Sequence, residues 1–339
     1  MTVISNRGRN LHSAKKAKND EFYTTLEVIE NELKHYKQHF KDKVVYCNCD
    51  DPNISNFFKY FALNFDYLGL KKLITSCYRN TDPDLRSKGV SDEAVWLEYE
   101  GGYNSLEDIQ KHTTIHSFNG DGDFRSEESI ELLKEADIVV TNPPFSLFRE
   151  YVAQLVEYEK DFLILGNMNA ITYKEIFPLL KDNKMWLGHK NGSMEFELPA
   201  DAEMKASGYI DENGKKIQKF GNISWYTNLP HSKRYEDLIL FRQYHPDDHP
   251  HYDTYDAINV DKVANIPVDY KGAMGVPITF LDKHNPDQFD ILGCSYSYGE
   301  PVGYHNDGES YSVTVNGKNI YKRIFIKHKH PQKGGPTNQ

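Results

Sequence analysis

The chain has 339 residues, of which 39% are hydrophobic and 13% aromatic, enough apolar content for one large or two medium globular domains. No apolar run approaches the ~18 residues of a membrane span, and the first residues lack the apolar core of a signal peptide, so we expect a cytoplasmic protein. The net charge of -10 does not exclude a nucleic-acid partner, because the distribution of charge matters more than its sum.

Both ends of the chain are basic. Residues 1–19 carry five cations and residues 310–339 carry six, with no acid in either segment, so the ends total +11 and the middle -21. Basic ends are either solvated tails or arms that contact phosphate. In the N-terminal arm, residues 1–19, the candidates for phosphate contact are Lys15, Lys16 and Lys18.

Helical and strand-like segments alternate through the first half of the chain. Apolar residues at helical spacing predict helices, and short runs rich in Val, Ile and Leu predict buried strands. The predicted helices are 20–42, a segment within 50–65, 126–136 with Ser126 as N-cap, and 147–159. The predicted strands are 43–49, 71–78, 113–118, 137–141 and 161–167, with a hairpin insertion around 94–102. This alternation predicts an α/β fold with a doubly wound parallel sheet.

The pattern changes near residue 230. Beyond that point the segments 311–317 and 322–330 predict short antiparallel strands instead of alternating helices and strands. We therefore divide the chain into the arm at 1–19, a sheet domain at 20–230 and a C-terminal region at 231–339.

Three predicted strands end in polar or acidic segments. These are Asn-Cys-Asp-Asp-Pro at 48–52, Asn-Gly-Asp-Gly-Asp-Phe at 119–124 and Asn-Pro-Pro-Phe at 142–145. One such segment alone is explained well by a tight turn. Ligands of open parallel sheets bind beyond the carboxyl ends of the strands, so the three together predict a ligand site at that edge.

The segment from Asn142 to Phe145 suits the methylation of an exocyclic amine. Such a nitrogen is a poor nucleophile, and two acceptors aimed at its N–H groups would favour its attack on a methyl group. The Asn142 side-chain oxygen and the Pro143 carbonyl can be these acceptors, because the rigid unit of Pro143 and Pro144 fixes the direction of that carbonyl. Phe145 offers a ring on which an extruded base can stack.

This segment resembles motif IV of the S-adenosylmethionine-dependent amino-methyltransferases. With the segments at 20–25, 119–124 and 255–280, it makes the chain similar to the EcoRI-type adenine-specific DNA methyltransferase family over nearly its whole length. The resemblance implies a Rossmann-like methyltransferase domain at 20–230 and a target-recognition region at 231–339. It also implies S-adenosyl-L-methionine as the cofactor and a flipped adenine in double-stranded DNA as the substrate.

The resemblance assigns cofactor contacts to two segments before the second predicted strand. Phe22, Tyr23 and Thr24 would lie near the methionine moiety. Asp50 and Asp51 occupy the position of the family's acidic residue after the first strand. One departure from the family is that residues 52–57 contain no glycine, so the backbone must approach the cofactor differently.

A further pair of contacts is implied at the third strand end. Asp123 would accept a hydrogen bond from the adenine amino group of the cofactor, and Phe124 would stack on that ring. A second departure is that the second strand ends in Ser-Cys-Tyr-Arg-Asn at 76–80, which lacks the acid that commonly binds the ribose.

Two other features have competing interpretations. Trp225 could close the target-base pocket by stacking, or it could be a core aromatic. His245, His249, His251 and Asp253 invite a metal site, but their spacing matches no helical zinc pair, and we expect a solvated loop and no metal.

The motifs leave three functions open. The favoured one is a monomeric, site-specific DNA adenine-N6 methyltransferase, in a restriction-modification system or as a solitary methylase. GAATTC, the DNA sequence methylated by the enzyme after which the family is named, is the first candidate for its target. The alternatives are a methyltransferase of RNA adenine or protein glutamine, and a catalytically silent DNA-binding regulator.

The arm generates a prediction about salt dependence. Replacing Lys15, Lys16 and Lys18 with Ala should weaken DNA binding on all sequences and flatten the salt slope by up to ~0.9 for each phosphate that the arm no longer neutralises. Fluorescence anisotropy over a salt series measures that slope. An unchanged slope would identify residues 1–19 as a solvated tail.

Overall fold

The computed structural model describes residues 23–79, 93–198, 202–253, 255–295 and 313–332. The candidate residues Phe22, Lys15, Lys16 and Lys18 lie outside these ranges. Within them, no helix is both long enough and apolar enough to cross a membrane.

The chain divides into two compact units. The first comprises Met1–Met168 and Lys190–Leu229, and the second comprises Asn169–His189 and Pro230–Gln339. Residues 169–189, which the sequence placed in the sheet domain, therefore belong with the C-terminal residues. That the second unit recognises the target remains a prediction.

The first unit contains most of a large sheet, to which the described residues contribute ten strands; residues 186–189 of one strand fall in the second unit. The strands are β1 Tyr23–Thr24, β2 Val44–Cys47, β3 Lys72–Cys77, β4 Val95–Tyr99, β5 Ile115–Ser117, β6 Ile138–Thr141, β7 Asp161–Asn167, β8 Trp186–Glu197, β9 Gly208–Ile210 and β10 Lys216–Thr227. The helices of this unit are α1 Leu26–Leu33, α2 Lys37–Phe40, α3 Asn56–Leu63, α4 Phe65–Leu68, α5 Leu106–His112, α6 Glu127–Glu135 and α7 Phe148–Glu157.

The strand order is β1-β8-β10-β7-β6-β2-β3-β4-β5, with β9 paired to β10. The central strands β7, β6, β2 and β3 are parallel, which confirms the predicted α/β class. The sheet as a whole is mixed, because β10 runs antiparallel to β7 and β4 runs antiparallel to β3. The strand order reverses at β2, since β3 lies on one side of it and β6 on the other.

The central strands are buried because helices cover the sheet. All four residues of β2 and of β6 are buried, as expected for parallel strands with two covered faces. Helix α3 packs Phe57, Phe58 and Phe61 into the main hydrophobic cluster. Helix α7 packs Phe148 close to Gly166 of β7, where an added Cβ would lie 2.5 Å from the Phe148 ring.

Sequence patterns located most of these elements, but the described part of the predicted helix 20–42 is the strand β1 followed by α1 and α2, and α5 was not predicted. The N-cap of α6 is Ser126, as predicted, since its hydroxyl accepts from the Ser129 N–H at 3.2 Å. The predicted hairpin around 94–102 is instead the single strand β4, inserted between β3 and β5. The predicted strand 113–118 shrinks to the exposed strand β5. The long strands β8 and β10 were not predicted, because polar residues interrupt their apolar pattern.

The second unit contains helix α8 Phe177–Lys181 and a smaller sheet of order β11-β12-β16-β13. Its strands are β11 Ala257–Asn259, β12 Ala273–Pro277, β13 Phe289–Cys294 and β16 Arg323–His328, beside the hairpin of β14 Thr314–Val315 and β15 Lys318–Asn319. The hairpin turn is Asn316-Gly317, and both residues have the positive φ that a tight two-residue turn requires. Short strands were predicted here, and β16 lies within the predicted segment 322–330.

Candidate active site

One buried carboxylate joins the ends of β2 and β6, where the strand order reverses. Asp50 follows β2, and its Oδ2 accepts a hydrogen bond of 2.6 Å from the Thr141 hydroxyl at the end of β6. Its Oδ1 accepts at 2.7 Å from Ser55, the residue that caps α3. Asp50 therefore fixes two strand ends and one helix start relative to one another.

The backbone of Asp50 adds a third strand to this arrangement. Its N–H donates to the Ser76 carbonyl at 2.8 Å, and its carbonyl accepts from the Thr75 hydroxyl at 2.7 Å. Burial raises the pKa of the Asp50 carboxyl to about 6, although the hydrogen bonds from Thr141 and Ser55 oppose the rise. Asp50 is buried, and both of its carboxylate oxygens accept from protein hydroxyls, so it has a structural role at this edge of the sheet. A direct cofactor contact by Asp50 remains a prediction.

The neighbouring acid, Asp51, shapes the turn into α3. Its Oδ1 accepts from the Asn53 N–H at 2.8 Å, and its carbonyl accepts from the Ser55 N–H at 2.8 Å. These bonds hold the turn that stands where the family pattern has glycine. A cofactor contact by Asp51 remains a prediction.

The segment 119–124 lies at the same edge of the sheet, because β5 runs in the same direction as β3. Gly122 has a φ of +71°, and a Cβ there would lie 2.7 Å from the Cys77 carbonyl at the end of β3. Glycine is therefore required where this turn passes β3. The turn places Asp123 beside Arg125, at 2.6 Å between Oδ2 and Nη2, and Arg125 also contacts Glu150 of α7 at 2.6 Å.

Phe124 follows Asp123 and is buried. Its ring packs edge-on against Tyr151 of α7, with ring centroids 5.0 Å apart, and its carbonyl accepts from the Gln154 amide at 3.0 Å. The Tyr151 hydroxyl in turn donates to the Asn48 side chain after β2. Phe124 thus connects the third strand end to α7, and its stacking on the cofactor remains a prediction.

The segment Asn142 to Phe145 follows β6 directly. Pro143 is buried, while Asn142, Pro144 and Phe145 are half-buried. The Pro144 carbonyl accepts from the Leu147 N–H at 3.0 Å and starts a short 3-10 turn, which explains why the strand stops here. Phe145 packs against the hydrophobic cluster and keeps part of its ring exposed.

The strand β1 holds two of the predicted cofactor residues near the start of α3. The Thr24 carbonyl accepts from the Asn56 amide at 2.8 Å, and Thr24 pairs with Phe196 of β8. The Thr24 hydroxyl is buried and makes no hydrogen bond with the part of the chain that the structure describes. A buried hydroxyl in this state is a candidate contact for a bound polar group.

Trp225 belongs to the core. It is 0% exposed, and its ring packs edge-on against Phe57 with centroids 6.1 Å apart. Neither face of this ring can reach an extruded base. Trp225 therefore packs in the core and does not have the stacking role that the sequence also allowed.

His249 of the 245–253 loop contacts two backbone carbonyls. His249 lies 3.1 Å from the His245 carbonyl through Nδ1 and 3.0 Å from the Asn265 carbonyl through Nε2. No group of three His, Cys, Asp or Glu residues arranged for a metal ion occurs in the described ranges.

Sequence reasoning missed four side chains that hold the strand ends. Thr141, Tyr151, Arg125 and Glu150 are distributed over three elements, and no motif links them. Only the spacing of Arg125, two residues after Asp123, could have suggested a pair.

Comparisons with known proteins agree over nearly the whole chain. Residues 10–329 match the model of a family described as adenine-specific methyltransferase EcoRI. The chain is 51% identical over 328 residues to the type II methyltransferase M.EcoRI of Escherichia coli, covering 95% of this chain and 97% of that relative. It is 40% identical over 332 residues to the type II methyltransferase M.MgeORF184P of Mycoplasma genitalium, covering 94% and 98%. Identity to M.MpnI of Mycoplasma pneumoniae is 38% over 332 residues, covering 93% and 97%. No solved structure matches the chain significantly.

The raised pKa of Asp50 predicts a pH-dependent cost in stability. Below about pH 4 the carboxyl is protonated in both states, whereas between pH 4 and 6 the unfolded chain releases its proton first. Stability should therefore fall as pH rises through about 6, by up to about 3 kcal/mol from this group. Asp50→Asn has no ionisable group at this position, so urea denaturation should show the wild type losing stability relative to the variant from pH 4.5 to 7. A pH-independent difference between the two proteins would contradict the burial assigned to Asp50.

Proposed function

This chain belongs to the EcoRI family of adenine-specific methyltransferases, and we propose that it transfers a methyl group from S-adenosylmethionine to N6 of an adenine in a short duplex DNA site. The observation that carries this proposal is the position of Asn142 to Phe145. They follow β6 at the reversal of strand order, where open parallel sheets bind their ligands.

The acceptors for the amine are the Asn142 side-chain oxygen and the Pro143 carbonyl. The segment that carries them is held on both sides, by the Thr141 hydrogen bond to Asp50 and by the Leu147 N–H bond to the Pro144 carbonyl. Acceptors that are held before the reaction need no reorganisation as charge develops on the nitrogen. The neighbouring Pro144 carbonyl is already engaged, which leaves the Pro143 carbonyl as the backbone acceptor in our proposal.

The bound cofactor supplies an electrophilic methyl group. The transfer would join that methyl carbon to N6 and break its bond to sulfur, which would keep the bonding electrons. The two acceptors stabilise the positive charge on nitrogen, and the extra proton leaves to solvent after the transfer. No general base is required for this order of events.

The cofactor would lie along the strand ends between β1 and the segment 119–124. The buried Thr24 hydroxyl, beside Tyr23 at the start of α3, suits a polar group such as the methionine moiety. Asp123 would accept from the cofactor's adenine amino group, with Phe124 beside it. Asp51 is a further candidate contact, and Phe22 lies outside the described residues.

The target adenine would leave the duplex and stack on the exposed part of Phe145. Residues 1–19 would contact phosphates, and the second unit would read the bases. The relatives are named type II methyltransferases, which supports a role in restriction-modification. GAATTC is the first site to test, since the first of these relatives is M.EcoRI.

Removing the Asn142 amide should separate catalysis from binding. Asn142→Ala should lower single-turnover methyl transfer by roughly a hundredfold or more, as loss of one preorganised group does. Affinity for DNA and cofactor should change little, because the interaction strengthens only in the transition state. Asn64→Ala, at the far end of α3, is the matched control and should keep full activity. Full activity in Asn142→Ala would leave this segment as a strand terminator only.

Removing the Phe145 ring should weaken binding of the extruded base. Phe145→Ala should cost about 1–3 kcal/mol, by analogy with base–aromatic stacking elsewhere. The fluorescence rise of 2-aminopurine at the target position, which reports extrusion, should shrink. Phe145→Tyr keeps the ring and should restore the signal, and an undiminished signal in Phe145→Ala would place the base elsewhere.

A further inference from the structure

Three N–H groups of one residue converge on the Asp123 carboxylate. Oδ1 accepts from the Arg125 backbone N–H at 2.8 Å and from Arg125 Nε at 2.9 Å. Oδ2 accepts from Arg125 Nη2 at 2.6 Å. The guanidinium therefore grips both oxygens in the planar fork that only arginine can supply.

This grip limits what Asp123 can still bind. A carboxylate oxygen accepts roughly two hydrogen bonds, so the acceptor capacity of Oδ1 is filled by the backbone N–H and Nε. Oδ2 accepts one bond from Arg125 and has room for one more. Asp123 consequently offers a ligand a single acceptor position.

The arginine is itself held from a second element. Its Nη1 donates to Glu150 Oε2 of α7 at 2.6 Å, so each side of the guanidinium faces a carboxylate. The backbone around Asp123 is fixed too, because its N–H donates to Asp121 and its carbonyl accepts from the Ser126 N–H at 2.8 Å. Arg125 and Glu150 together therefore fix the position and direction of the acceptor that remains on Asp123 Oδ2.

We propose that Arg125, oriented by Glu150, is a positioning residue that makes the cofactor site specific for a 6-aminopurine. The single open position on Oδ2 accepts one N–H of a 6-amino group. A 6-oxo group presents an acceptor to the same carboxylate, which leaves two oxygens facing each other with no proton between them. This inference rests on the proposed function, in which Asp123 meets the purine of the cofactor.

A merely structural ion pair would behave differently. If Arg125 only stabilised the turn, its loss would weaken the binding of every nucleoside by the same factor. If it positions Oδ2, its loss lets the carboxylate rotate, and the preference for amine over carbonyl falls. The ratio of two affinities therefore separates the roles where a single affinity does not.

The test is calorimetric binding of two probes, S-adenosylhomocysteine and S-inosylhomocysteine, to the full chain. The wild type should prefer the adenosyl compound by about a hundredfold or more, since a site built to pair with an N–H rejects the analogue that lacks it. Arg125→Lys keeps the charge without the fork and should reduce this ratio about tenfold or more. Glu150→Gln should reduce it in the same direction by a smaller factor. Lys134→Gln, which breaks the exposed Lys134–Glu131 pair on α6, should leave the ratio unchanged.

The outcomes distinguish this inference from the proposed function. If neither probe binds the wild type, the proposed cofactor site fails and the inference fails with it. If both bind the wild type equally, or if the ratio in folded Arg125→Lys equals that of the wild type, cofactor binding stands and the inference is overturned. Circular dichroism and thermal melting establish that each variant is folded, and Glu150→Gln carries the test if Arg125→Lys is not.

Discussion

The hydrogen bonds of Asp50 hold together the edge of the sheet on which the proposed chemistry depends. The Asp50 carboxylate accepts from two hydroxyls, its carbonyl accepts from a third, and its N–H donates to a backbone carbonyl. These bonds link the ends of β2, β3 and β6 to the start of α3. The acceptors proposed for the target amine belong to Asn142 and Pro143, which directly follow Thr141. Their position therefore depends on the hydrogen bond between Thr141 and the buried Asp50 carboxylate. A rigid scaffold of this kind lets two acceptors stabilise developing charge without reorganisation.

The two acidic residues at the strand ends, Asp50 and Asp123, have different roles in our account. Asp50 faces inward and binds the protein itself, whereas Asp123 lies where one acceptor position remains open to a ligand. Both follow a strand and both looked alike as sequence. They differ in burial and in partners. Asp50 is buried and accepts from two hydroxyls, whereas the guanidinium and the backbone N–H of Arg125 together fill all but one of the acceptor positions of Asp123.

The amino-acid pattern predicted the parallel centre of the sheet, the three polar strand ends and the Ser126 cap, because each depends on local periodicity or on turn chemistry. Family membership confirms the prediction of an adenine-specific methyltransferase. The burial of Trp225 and the contact between Arg125 and Glu150 depend on residues far apart in the chain, so no local pattern could show them. The long strands β8 and β10 were not predicted for a related reason. Their pairing with neighbouring strands, and not their composition, makes them strands.

Our central proposal is that the protein methylates adenine N6 in duplex DNA at the segment Asn142 to Phe145. The most direct measurement is transfer of a radiolabelled methyl group from S-adenosylmethionine to duplex DNA, RNA and protein offered separately, followed by hydrolysis and identification of the labelled product. Our account predicts N6-methyladenine from the duplex and no label in the other two substrates. Label in RNA, in protein or on cytosine, or no transfer to the duplex, would contradict it.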